Sequence, residues 1–232
     1  MNRGRKIPAV LWERRLMIKK ECLEIVKEKC ENCRECVLGY TRKNIVFSDG
    51  NPESAKIVLI GEAPGETEDE TGTPFVGRAG KLLNEFLEDA GISRQDDLYI
   101  INTVKCRPPE NRVPTDVEKS LCEKFLTAQI DIMNPKAIVF CGATSLKSFW
   151  DDKKVQISKV RGKWFDVTIN GRTYQAMAIF HPSYLLRNHS MEDGSPRRLM
   201  QQDLREIRTK ILTDRKDSKE LHKVAFGELT MV

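Results

Sequence analysis

The cysteine spacing is the feature of this sequence with the most specific chemistry. Of seven cysteines, Cys30, Cys33 and Cys36 recur at every third residue, and Cys106 and Cys122 stand far downstream with fifteen residues between them. Four thiolates can hold a [4Fe–4S] cluster or a zinc ion, whereas the alternative for the downstream pair is burial as small apolar residues. Cys33 can form a Cys-x2-Cys pair with Cys30 or with Cys36, so the spacing predicts a four-cysteine metal site and leaves its register open. Two cysteines are predicted to be core residues: Cys22 and Cys141.

A glycine-rich turn, Gly61-Glu62-Ala63-Pro64-Gly65, follows an apolar stretch. Two glycines around a proline make a rigid turn whose backbone can approach a ligand closely. Glu62 could bind a water molecule or the edge of a base, or it could be a solvated side chain on an ordinary turn.

Two further polar side chains follow apolar stretches, Asn102 and His181. An amide presents a donor and an acceptor side by side, which matches the edge of a nucleobase, although a lone Asn more often caps local backbone. His181 opens the segment 181–187, in which Leu185 and Leu186 are core side chains or a wedge for a base stack. Arg187 is a candidate contact to phosphate.

The elements that must position these residues alternate between strands and helices. We predict strands at 56–60, 98–101 and 137–141, helices at 78–90, 115–133 and 143–150, a hairpin around Asn170-Gly171, and a closing helix at 195–212. This order favours an α/β fold of three layers, in which a largely parallel central sheet is covered by helices on both faces. The candidate residues then converge at the carboxyl ends of the strands, where open α/β sheets bind ligands.

Composition and charge are those of a soluble globular protein. The chain has 232 residues, 40% hydrophobic and 31% charged, and a net charge of +5, which permits a polyanionic partner. Its apolar runs are strand-length, and no apolar signal core follows the basic N-terminus, so we expect no membrane contact and a cytoplasmic location. The absence of a Gly-x-Gly-x-x-Gly or phosphate-loop motif disfavours a nucleotide-binding metabolic enzyme.

Several blocks of this sequence together resemble the family 4 uracil-DNA glycosylases. They are 61–65, 68–80, 102–112 and 181–187, and their order and spacing agree from about Cys33 to Leu212. The resemblance implies three regions: an N-terminal helical extension (1–29), a uracil-DNA glycosylase domain with an iron–sulfur cluster (30–212) and a C-terminal tail (213–232). It also implies a monofunctional hydrolase of base excision repair that flips uracil out of DNA and leaves an abasic site at the chromosome.

The family pattern also implies roles for individual residues. It fixes the ligands of the [4Fe–4S] cluster as Cys33, Cys36, Cys106 and Cys122, with Cys30 as an extra thiol. Phe75 would stack on the flipped uracil, Asn102 would bind its polar edge, Gly61 to Ala63 would supply backbone and water contacts, and His181 would stabilise the uracil anion. Related families place a water-activating Asp or Asn where Ala63 stands here, so Glu62 is the candidate for positioning water. Leu185 or Leu186 would fill the emptied stack beside Arg187.

Two alternatives stay open at this point. One is an iron–sulfur or zinc protein on the same fold that recognises uracil in DNA without excising it. The other is a relative that traps the abasic product covalently, but that group has Gln in place of Ala63 and an inserted basic loop, both absent here. We expect a monomer; residues 224–232 are a candidate docking segment for a sliding clamp, although a disordered tail is the favoured interpretation.

Overall fold

A five-stranded sheet forms the centre of the computed structural model, which describes residues 9–150 and 152–213. The strands are β1 (Ile57–Gly61), β2 (Leu98–Asn102), β3 (Ala137–Cys141), β4 (Trp164–Ile169) and β5 (Arg172–Ile179). They lie in the order β2-β1-β3-β5-β4, parallel except for β4, which pairs antiparallel with β5 at the edge. The predicted α/β architecture, largely parallel, is confirmed.

Helices cover both faces of this sheet. In chain order they are α1 (Ala9–Glu31), α2 (Leu38–Thr41), α3 (Glu66–Thr71), α4 (Arg78–Ala90), α5 (Asp116–Met133), α6 (Ala143–Phe149), α7 (Ile157–Val160), α8 (Pro182–Leu185) and α9 (Pro196–Ile207), which continues as a π-helical turn over Arg208–Leu212. Local signals set the ends of the long helices: α4 ends at Gly91 with φ +67°, and Thr115 and Glu118 cap α5 reciprocally. No helix in the described part of the chain is long and apolar enough to cross a membrane.

Alternate residues of each central strand enter two separate cores. Ile57 and Leu59 of β1 pack with α4 and α9, whereas Val58 and Ile60 pack with α5 and α6. Because both faces are covered, the three parallel strands β1 to β3 are buried along their whole length. The sheet is therefore a rigid support for the loops at its carboxyl edge.

Helix α1 connects the N-terminal region to the rest of the fold. Helix α1 packs against α5, and its Leu23 belongs to the core on that face of the sheet. The boundary predicted at residue 29 falls inside this helix and remains a prediction. The predicted tail and its candidate clamp segment lie, from residue 214 on, outside the described residues.

Candidate functional site

A cavity of about 470 Å³ opens at the carboxyl edge of the sheet. That volume falls in the range of small-molecule sites. Five of the residues predicted from the sequence line it together: Glu62, Ala63, Phe75, Asn102 and His181. Gly61 lies directly behind them, paired with Asn102 across β1 and β2.

Asn102 presents an unused hydrogen-bond acceptor in this cavity. The residue is 1% exposed, and its Oδ1 has no hydrogen-bond partner among the described residues. A buried polar atom without a partner is unfavourable, so such an atom beside a cavity indicates a ligand that donates to it. A Cβ on Gly61 would overlap both this amide and the Phe75 ring, which explains the glycine at that position.

Phe75 is held in an unusual backbone conformation. Its φ of +52° is in the left-handed region, which costs a non-glycine residue roughly 1–2 kcal/mol. The carboxylate of Glu68 accepts the N–H groups of Val76 at 2.9 Å and Gly77 at 2.7 Å, and Arg94 donates to the Pro74 carbonyl at 2.6 Å. These contacts fix the turn, so the Phe75 ring lies against the cavity, 5.8 Å from the His181 ring.

The role of Glu68 in this turn has no signal in local sequence. A second hydrogen bond of its carboxylate, from the Gly65 N–H at 3.1 Å, joins the glycine-rich turn to the Phe75 turn. Gly80 serves the same arrangement, because a Cβ there would overlap the Phe75 backbone. Only the fold brings these segments together.

His181 is a neutral hydrogen-bond donor in this environment. Its Nδ1 accepts the Ser183 N–H at 3.2 Å and lies 2.8 Å from the Ser183 Oγ, which leaves the proton on Nε2. Burial lowers the pKa of His181 to about 4, against an opposing effect of the Glu68 carboxylate. Gly142, at φ +99°, lets the imidazole pack closely, since a Cβ there would lie 2.9 Å from the His181 Cβ.

The loop between Cys106 and Cys122 supplies another part of the cavity wall. Asn111 and Arg112 line it, and Asn111 also has a left-handed φ of +56°. Arg112 makes two hydrogen bonds with Glu118, at 2.8 and 2.6 Å, and this guanidinium lowers the pKa of Glu118 to about 2. Asn111 stands within the resembling blocks but was assigned no role from the sequence.

The segment after His181 divides into buried and exposed residues. Leu185 is 0% exposed and belongs to the core, so its position supports the packing role and not the wedge role. Leu186 is partly buried against the same core, and Arg187 is exposed. Tyr184, 43% exposed, is the large exposed side chain that sequence reasoning passed over.

Five cysteines border one second cavity, between α1, α2, α5 and the end of β2. They are the four predicted ligands and the extra thiol: Cys30, Cys33, Cys36, Cys106 and Cys122. Within the described residues no three His, Cys, Asp or Glu side chains are grouped closely enough to hold a metal ion. Cys141 is a core residue as predicted, whereas the prediction for Cys22 was wrong, because this residue is only half-buried on α1.

Two cations lie beside these largely buried thiols. Arg42 Nη1 donates to the Cys106 Sγ at 3.0 Å, and Lys105 is fully buried beside the same cavity. Burial raises the pKa of Cys122 to about 11, while the charge and backbone N–H of Lys105 oppose that rise. Burial also lowers the pKa of Lys105 to about 8, against the effect of the nearby cysteines. A soft sulfur donor set with cations around it fits an iron–sulfur cluster or zinc.

Comparison with known proteins agrees with this geometry. Residues 47–205 match the model of the uracil DNA glycosylase superfamily, so the fold is that of this superfamily. A type-4 uracil-DNA glycosylase of Thermotoga maritima is 49% identical over 191 residues, covering 82% of this chain and 95% of that protein. Those of Archaeoglobus fulgidus and Sulfurisphaera tokodaii are 42% and 37% identical, covering 72% and 84% of this chain and 84% and 88% of those proteins. The chain belongs to the type-4 uracil-DNA glycosylase family.

Proposed function

We propose that this protein removes uracil from DNA by hydrolysing its N-glycosidic bond, leaving an abasic site for base excision repair. The unpaired Oδ1 of Asn102, buried beside a cavity that also holds a neutral His181, is the observation that carries the proposal. A base edge bearing one N–H donor next to one carbonyl acceptor, as in uracil, satisfies an amide placed in this way. The names of its relatives support the same activity.

Three residues that line the cavity then have parts in binding the base and breaking its bond. The nucleotide leaves the base stack, at a cost of a few kcal/mol, and the base enters the cavity against Phe75. Asn102 Oδ1 accepts from N3–H and its NH₂ donates to O4. As the glycosidic bond breaks, the electron pair passes to uracil, and the Nε2–H of His181 stabilises the resulting anion.

Glu62 is the polar residue of the cavity that we consider for binding the attacking water. Glu62 lines the cavity, and its backbone carbonyl is held by the Thr103 hydroxyl at 2.5 Å. We assign water positioning to Glu62, with the backbone of Gly61 and Ala63 completing the turn. No lysine lines this cavity among the described residues, which supports a monofunctional hydrolase without a Schiff-base step.

The segment after His181 is assigned to the DNA. Leu186 and the exposed Arg187 come five and six residues after His181, and we assign them to the strand that has lost its base, with Arg187 near a phosphate. The substrate is uracil-containing DNA, and an enzyme of chromosomal repair would act inside the cell. A monomer suffices for this chemistry, since one chain supplies the whole cavity; contact with a sliding clamp through residues 224–232 stays a prediction.

The second cavity is assigned to a [4Fe–4S] cluster held by Cys33, Cys36, Cys106 and Cys122. The donor set of thiols with Arg42 and Lys105 beside them supports this assignment. When bound, such a cluster would cross-link the segment between α1 and α2, the loop after β2, and α5. Two of its ligands delimit the loop that carries Asn111 and Arg112, so its effect on the reaction is to hold one wall of the uracil cavity.

An alkali-cleavage assay tests the activity. The protein is incubated with an oligonucleotide that contains a single uracil, treated with alkali and analysed on a denaturing gel. We expect strand cleavage only after alkali, and far less of it with His181→Ala at matched times. A shift in a binding assay without alkali-sensitive product would instead favour the alternative of a uracil-recognising module.

A further inference from the structure

Lys105 is a buried cation whose charge has no carboxylate partner. Its side chain is 0% exposed, and no carboxylate within the described residues lies at ion-pair distance from its Nζ. The hydrogen bond of its Nζ goes to the backbone carbonyl of Asn102, at 2.8 Å. One neutral carbonyl does not replace the hydration of an ammonium group, so a charge in this position calls for an anion nearby.

The groups around Lys105 that can supply negative charge are sulfurs. Lys105 borders the same cavity as the five thiols, and it directly precedes Cys106 in the chain. Protonated thiols carry no charge, whereas four thiolates around a cluster give the site a net negative charge. Arg42 contacts the cavity at Cys106, nearer the surface, so Lys105 is the cation on its inner side.

We propose that Lys105 is the internal counter-ion of the cluster and a positioning residue that joins the cluster to the base-reading end of β2. The inference rests on the proposed cluster and extends it to this chain's own cation. The ammonium group lowers the electrostatic cost of gathering thiolates in a buried site, and its hydrogen bond holds the Asn102 backbone in place. Replacing Lys105 should thus mainly weaken the binding of the cluster. It should have a smaller effect on the position of Asn102.

Two substitutions separate the charge from the hydrogen bond. Lys105→Met removes both in a side chain of similar length, and Lys105→Gln removes the charge but keeps a donor that can reach towards the Asn102 carbonyl. Lys124→Met is the matched control, because Lys124 is also near the cysteines but is 50% exposed and paired with Glu35. The same change at an exposed site should have little effect on the cluster.

The measurements are iron release from the intact purified protein to a chelator, and the reduction potential of the cluster. We expect both Lys105 variants to lose iron roughly 10-fold faster or more, as is typical when a group around the ligands is removed. Their potentials should shift to lower values, because reduction adds negative charge and the neighbouring cation is gone. Lys124→Met should stay near wild type in both measurements. A purely structural role of Lys105 would leave the potential of the remaining cluster unchanged.

The outcomes that overturn the inference are distinct. Lys105→Gln with wild-type iron release and potential would show that the charge is not needed, whatever Lys105→Met does. If Lys124→Met and Lys105→Gln changed iron release and reduction potential equally, the burial of Lys105 would not be what makes its charge important to the cluster. If Lys105→Met does not fold, Lys105→Gln alone decides between these results. A wild-type protein that excises uracil but holds no iron would refute the cluster itself, and one with iron and no excision would refute the activity instead.

Discussion

At the scale of single residues, two side chains define what the cavity can bind. Asn102 offers an unpaired oxygen, and His181 offers an N–H while remaining neutral. A neutral donor suits a leaving group that becomes an anion, because it stabilises the charge without having to lose a proton first. Sequence reasoning selected both residues but could not give the tautomer of His181, which depends on the contact with Ser183.

Replacing His181 tests the donor. His181→Ala should lower the single-turnover excision rate by ~10²–10³-fold, the usual effect of removing one preorganised donor. The rate is measured with enzyme in excess over a uracil duplex, and circular dichroism confirms that the variant is folded. A folded variant with the wild-type rate would contradict the assignment.

The lowered pKa of His181 gives a second expectation, for stability. The unfolded chain takes up a proton near pH 6.5, whereas the folded protein does so only near pH 4. The free energy of unfolding should therefore decrease, and the protein become less stable, as pH falls from about 6.5 to about 4. His181→Ala should lack this part of the decrease. Urea unfolding at pH 7 and pH 5 measures it; an identical pH dependence in both proteins would refute the buried neutral state.

Replacing Asn102 tests discrimination between bases. Cytosine presents an amino donor and an unprotonated N3, so Asn102 pairs badly with it, at ~1–3 kcal/mol for each unpaired group. Asn102→Asp has no donor for the O4 of uracil but can accept from the cytosine amino group. We expect the uracil-to-cytosine ratio of single-turnover rates to fall by orders of magnitude. An unchanged ratio would mean that Asn102 does not read the base edge.

At the scale of elements, the strands and long helices follow from local signals. Helix α4 runs over the predicted residues Arg78–Ala90, and β3 over the predicted Ala137–Cys141, because capping residues and continuous apolar runs mark their ends. The short helices α2, α3, α7 and α8 were missed, since they have too few turns to show periodicity. The left-handed turn at Phe75 could not be predicted, because contacts from Glu68 and Arg94 in other segments impose it.

Glu68 should act through the position of that turn. Glu68→Ala removes the acceptor of three backbone N–H groups, so we expect a loss of about 1–3 kcal/mol in unfolding free energy. Displacement of Phe75 should also lower the excision rate by up to ~10²-fold. Glu70→Ala, on the same helix but with an exposed side chain that forms an ion pair with Lys43, is the control and should do neither. Excision at the wild-type rate by Glu68→Ala would show that the turn holds Phe75 without it.

At the scale of the whole molecule, the two cavities lie on one continuous piece of chain. Residues 102–122 run from the base-reading Asn102 through Lys105 and Cys106 to the loop of Asn111 and Arg112, and return to Cys122 on α5. Spacing alone predicted a four-cysteine site, but the nearness of that site to the uracil cavity depends on the path of this loop. The spacing left open whether Cys30 is a ligand, and Cys30 borders the same cavity as the other four cysteines.

Iron content tests the assignment of the ligands. The purified protein should be brown with about four irons per chain. Cys36→Ala should lose most of this iron, whereas Cys30→Ala should keep it, since Cys30 is assigned to the apolar cluster with Phe47 and Phe125. Metal and sulfide analysis measures both variants. One zinc per chain without iron or sulfide would contradict the cluster, and iron loss only in Cys30→Ala would contradict its register.

Identifying the products of a single turnover shows directly whether the protein hydrolyses the bond between uracil and the sugar. Two duplexes that differ only in one uracil or cytosine opposite guanine are incubated with excess protein, and the released base and the strands are analysed by mass spectrometry. We expect free uracil and an intact strand that has lost the base and gained a hydroxyl group at the sugar, with no release of cytosine. An unchanged uracil strand, or a strand covalently attached to the protein, would contradict it.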